Sequence, residues 1–87
     1  MEKEKEVYSM IKKLIHFKSM EEVEEFIKIT SSHTTVSIDV KLGKYVVDGK
    51  SYLGVLALGI CKDLLVEITH DDGTILNDLK KFNLKDF

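Results

Sequence analysis

From Ser51 to Cys61 the chain carries no charged residue, and Gly54 and Gly59 punctuate the run. A bilayer-spanning helix needs about 20 apolar residues, so this stretch is too short to cross a membrane. In a folded domain it must be a buried element, an exposed docking patch, or both. Ser51 is a favoured helix N-cap residue, so the segment reads as a short apolar helix that starts at this serine. The hydroxyl then sits at the positive end of the helix, where an anion is electrostatically welcome.

The rest of the composition narrows the setting. With 87 residues the chain fits one domain, residues 1–87, able to bury a core without staples. A formal net charge of −2 gives no basic field for nucleic acid, and the aromatics do not interleave with the scattered lysines into a stacking platform. The single cysteine, Cys61, excludes an internal disulfide framework and points to a reducing, cytoplasmic compartment. The mixed-charge start, Met1 to Glu6, has no apolar stretch behind it and does not read as a signal peptide. There is no proline, and no Gly/Ser-rich linker divides the chain.

Residues 6–15 hold β-branched and aromatic residues in an imperfect period of two and predict a strand. Ser19 followed by Glu22 is a capping box, and Val23, Phe26, Ile27 and Thr30 then recur at helical spacing, predicting a helix from Met20 to about Ser31. In residues 35–42, Val36, Ile38, Val40 and Leu42 alternate with Ser37, Asp39 and Lys41, the pattern of a half-buried antiparallel strand. Gly43-Lys44 makes a turn, Tyr45-Val46-Val47 returns, and Asp48-Gly49 turns again into the Ser51 helix. Leu64 to Thr69 reads as a fourth strand; Asp71-Asp72-Gly73-Thr74 is turn and cap chemistry; Ile75, Leu76, Leu79 and Phe82 line a closing helix. The order β-α-β-β-α-β-α predicts an α+β fold, an open-faced β-sandwich with a four-stranded antiparallel sheet and three helices on one face.

Gly49-Lys50-Ser51-Tyr52-Leu53-Gly54-Val55-Leu56-Ala57-Leu58-Gly59-Ile60 resembles the second-helix segment of the HPr family, the phosphocarrier proteins of the bacterial sugar phosphotransferase system. That family's pattern is roughly Lys-Ser-Ile-Met-Gly-Val-Met-Ser-Leu-Gly, and the serine and both glycines fall in register. The hairpin Val40-Lys41-Leu42-Gly43-Lys44, the length and the element order also resemble the family, so the likeness covers about the whole chain. The family's phosphoacceptor histidine caps its first helix, ahead of an arginine and a proline. Here the matching position is Ser19 or Met20, the arginine position falls on Glu21 or Glu22, and the proline is missing. Carboxylates in that first turn complement the helix dipole and repel a phosphoryl dianion.

Several residues are candidates for chemistry. The resemblance implies a regulatory phosphorylation site at Ser51, read by a kinase and then by a transcriptional regulator of the phosphotransferase system; the plainer role is a helix cap alone. The resemblance also implies a partner-docking face at Leu53 and Leu56, flanked by Lys50 and Tyr52, with Val55, Leu58 and Gly59 turned inward; apolar residues at this spacing equally suit a core. His16, three residues before the Ser19 cap, is a displaced phosphoacceptor or an ordinary strand-end histidine. The separations among His16, His33, Cys61 and His70 match no metal-ligand pattern. Gly43 stands one residue from where a phosphate-binding loop ending in Gly49-Lys50-Ser51 would need its first glycine. Asp71 and Asp72 lack the further oxygens of a calcium loop.

The expected function is non-enzymatic and uses no cofactor: an HPr-like regulatory or protein-docking module acting through the Ser51 helix, as a monomer or homodimer. Two alternatives stand beside it, an active phosphocarrier using His16 and an interaction domain without phosphate chemistry.

Overall fold

The computed structural model describes residues 10–70 and 73–87. The elements run β1 (Ile11–His16), α1 (Met20–Ser32), β2 (Ser37–Leu42), β3 (Tyr45–Asp48), α2 (Tyr52–Leu58), β4 (Asp63–Thr69), α3 (Ile75–Asp78), a 3-10 turn (Lys80–Phe82) and β5 (Lys85–Asp86). The strands form one antiparallel sheet in the order β3-β2-β4-β1-β5. The sheet thus has five strands among the described residues, not the four expected. The addition is the two-residue β5, which lies against Lys13 and Leu14 of β1.

Residues 6–9 of the expected first strand lie outside the described residues, as do Asp71 and Asp72. The described part begins at Ile11 and extends one residue further than expected, through His16, because His16 still pairs with Asp63 of β4. The closing helix is also shorter than its apolar pattern suggested. It ends at Asp78, and a 3-10 turn carries Phe82 into the core.

The register puts Ile38 opposite Ile68, Val40 opposite Val66, and Leu64 opposite Ile15, so these side chains share one face. They form a single buried cluster with Val23 and Phe26 of α1, Val55 and Leu58 of α2, and Ile75, Leu79 and Phe82 near the C-terminus. At its centre Phe17, Phe26 and Phe82 meet edge-on, with ring centroids 5.2–5.9 Å apart. Each fully buried apolar side chain contributes about 1.5–3 kcal/mol of transfer free energy. The molecule is therefore a small α+β domain in which three helices feed one face of an open antiparallel sheet.

One charged residue breaks the pattern on that face. Lys13 lies opposite Val66, and its stem borders a cavity of about 260 Å³ lined by Leu76, Leu79, Lys80, Asn83 and Leu84. Its ammonium reaches out to Asp86 Oδ1 at 2.6 Å, keeping the head wet while the stem covers apolar surface. No helix among the described residues is long and apolar enough to cross a membrane.

Candidate functional site

The two α2 ends are fixed by different neighbours. At its start, Gly49 packs against β2: its N–H donates to Ile38 O at 2.7 Å, and its carbonyl accepts Thr30 Oγ1 of α1 at 2.8 Å. A Cβ on Gly49 would stand 2.4 Å from Ile38 Cγ2, so only glycine allows this approach. The next two residues complete a tight turn, in which Asp48 Oδ1 accepts the Lys50 N–H at 2.9 Å and Asp48 O accepts the Ser51 N–H at 3.0 Å.

Ser51 is the N-cap of α2. Its backbone is extended, and its Oγ accepts the Gly54 N–H at 3.1 Å. Gly54 is needed here as well, since a Cβ would come within 3.1 Å of Ser51 Oγ and 3.2 Å of Val47 Cβ. No acidic residue lies in the first turn of α2. The Asp48 carboxylate does share the preceding turn, so a phosphate on Ser51 would meet one carboxylate and the Lys50 ammonium together. The side chains expected as a docking face divide: Leu53 is 75% exposed, whereas Lys50, Tyr52 and Leu56 are half-buried, and Tyr52 and Leu56 pack against the core. Val55 and Leu58 are buried in the core, and Gly59, half-buried, closes the helix at φ +108°.

At the other end of α2, the Cys61 N–H donates to Phe17 O at 2.7 Å, bringing the β1–α1 turn alongside. This region holds Ser19, Met20 and His16. Ser19 caps α1, its Oγ accepting the Glu22 N–H at 3.3 Å, while Glu22 Oε1 accepts the Lys18 N–H at 2.7 Å. The capping box thus forms with Glu22 reaching one residue beyond the cap, and Met20 is half exposed as the first helical residue. His16 Nδ1 lies 3.0 Å from Asp63 Oδ1, both side chains at the surface. Seven helical residues, about 10 Å of axis, separate this end from Ser51. Ser51 and the position matching the family's histidine therefore do not share one site.

Three contacts were invisible to sequence reasoning because they join distant positions: Thr30 with Gly49, His16 with Asp63, and His33 with Asp78. Thr30 shares the helical spacing of Val23 and Phe26, yet its buried hydroxyl anchors the turn that carries Ser51. His33, mostly buried at the end of α1, contacts Asp78 Oδ2 at 2.7 Å and Thr74 Oγ1 at 3.4 Å, clasping α1 to α3. Thr74 holds the cap position of α3 but makes no side-chain cap bond there. No group of three or more metal-ligating side chains converges among the described residues. Comparison with family models, with characterised proteins and with solved structures yields no match to the chain.

Proposed function

We propose that this chain is an HPr-like, open-faced β-sandwich module of the phosphotransferase-system type, without enzymatic activity, in which the Ser51 end of α2 is a regulated docking surface for a protein partner. The observation that carries the reading is the cap itself: Ser51 Oγ at the start of α2, accepting the Gly54 N–H, beside the outward Leu53. A phosphate there would take the Gly54 N–H that the hydroxyl now serves and would change the charge next to an exposed leucine. The β-α-β-β-α-β-α succession within the longer observed order, and the in-register Gly54 at the cap and Gly59 at the close of α2, support the same reading.

The test is ATP-dependent labelling of the full chain by the serine kinase that modifies HPr proteins. Stoichiometric phosphate on the wild type, lost in Ser51→Ala, is expected; Ser51→Asp should alter binding to the kinase's downstream repressor, and Leu53→Ala should weaken it. Failure to label, or labelling that survives Ser51→Ala, rejects the regulatory serine.

One observation favours a second reading, phosphoryl carriage by His16. Its Nδ1 is held against Asp63, which would fix the tautomer and leave the Nε2 lone pair facing solvent. Incubation with phosphoenolpyruvate and the general phosphotransferase enzyme distinguishes it: label lost in His16→Ala supports this reading, and an unlabelled wild type removes it.

A further inference from the structure

The sheet ends differently on its two sides. Among the described residues, β5 pairs with Lys13 and Leu14 on the β1 edge, whereas β3 is the last strand at the opposite edge. We propose that β3 is an interface for a second copy of this chain, pairing antiparallel with its own counterpart about a two-fold axis midway between the two Val46 residues.

The hydrogen-bond parity dictates which groups are free. The Gly49 N–H donates inward to Ile38 O, so residues 47 and 45, two and four positions back, also turn their backbone groups towards β2. The N–H and C=O of Val46 consequently point away from the sheet, as does the Asp48 N–H. Only registers that set even-numbered residues against even-numbered ones align donors with acceptors. The centred register sets Val46 against Val46 of the second copy, Lys44 against Asp48, and Tyr45 against Val47. It produces two backbone bonds at Val46, two opposite-charge pairs on one face, and two aromatic–β-branched pairs on the other, each a favourable cross-strand combination.

Two further observations support this occupant. Asp48 lies directly opposite Asp39 of β2, a like-charge pair, and Lys41 of β2 is bonded to Glu67 instead; the lysine of the second copy would add a cation there. Tyr45 and Val46 are 62% and 54% exposed, with no proline or bulge to discourage pairing. A two-fold pairing uses the same strand twice and is closed, so it stops at the dimer. The strand is four residues long, which places the interface among small ones, below about 1,200 Å². Association should therefore depend on concentration in the ordinary working range.

Sedimentation equilibrium of the full chain, under reductant so that Cys61 cannot cross-link, should show a monomer–dimer equilibrium. Val46→Pro removes an outward N–H and leaves the β2 ladder intact; it should abolish the dimer while circular dichroism stays native. Lys44→Glu and Asp48→Lys should each weaken self-association about tenfold, as two attractive pairs become repulsive. A one-to-one mixture of the two variants should recover it, because both charge pairs are restored in the heterodimer. This mixing experiment decides the matter even if Val46→Pro fails to fold. A wild type that stays monomeric up to its solubility limit, a dimer that persists in folded Val46→Pro, or a mixture that does not associate would each overturn the proposal.

Discussion

At Gly49 the N–H bonds β2 and the carbonyl bonds α1, and two residues later the chain caps α2. The glycine is required by close approach, because its would-be Cβ meets Ile38 Cγ2 at 2.4 Å, Ile38 Cβ at 2.9 Å and Ile38 O at 3.0 Å. The last two atoms cannot swing aside like a flexible side-chain end. Gly49→Ala is therefore expected to destabilise by about 1–3 kcal/mol, the usual cost of overpacking a core. Urea unfolding should show a lower midpoint with an unchanged slope. An alanine variant as stable as the wild type would mean that Ile38 and the turn separate freely, and the Ser51 cap would then not be rigidly placed. Gly43 is the contrasting case: its Cβ would meet nothing within 4 Å, and its φ of +59° at the first turn position is what the hairpin needs.

At the scale of elements, β5 depends on a contact that titrates. Asp86 accepts a hydrogen bond from Lys13 Nζ, and that bond, with the attraction of the ammonium, holds the carboxyl below its ordinary value of 3.8. A carboxylate whose folded pKa is depressed contributes stability above its unfolded pKa and loses it as pH falls through the folded value. The attachment of β5 should accordingly be complete at neutral pH and weaken only below about pH 4. Asp86→Asn should flatten that acid dependence, measured as amide-exchange protection of β5 between pH 3 and 5; an unchanged profile would show that Leu84 and the backbone hold β5 without the ion pair. The strand was illegible in the sequence for a related reason. Lys85 and Asp86 are both exposed, so no alternation marks them. Lys13 likewise sits on a face where apolar periodicity expects a hydrocarbon. By contrast α1, β2 and α2 were legible because each buries one face: Val23, Phe26 and Thr30; Ile38 and Val40; Val55 and Leu58. Of the site, the Ser51 cap followed from local pattern, whereas the outward Leu53 was implied only by the family resemblance, which equally implied the core-packed Leu56. The Thr30 anchor and the Asp63 partner of His16 required the strand pairing, which no local window contains.

For the whole molecule, the asymmetry of the sheet edges limits how large an assembly can grow. Among the described residues β5 pairs with Lys13 and Leu14 of β1 and β3 ends the sheet on the other side, so the proposed self-pairing terminates at two copies. Deleting residues 84–87 would remove β5 and the half-buried Leu84, uncovering Lys13 and Leu14 so that no described strand pairs with the outer edge of Ile11–His16. Loss of that leucine's burial should cost on the order of 1 kcal/mol, which corresponds to a Tm lower by about 4–8 °C for a domain of this size. The uncovered β1 is six residues long and carries the half-buried Leu14, a longer template than β3. With free edges at both ends, β3 to β3 and β1 to β1 contacts can alternate without closure. The truncated chain should therefore sediment as species larger than a dimer at concentrations where the full chain stops at two copies. Adding Val46→Pro to the truncation should return it to a dimer joined through β1, since one edge is again closed. If the truncated chain never exceeds the full chain's assembly size, β5 is not what protects the β1 edge, and the bound on assembly lies elsewhere in the molecule.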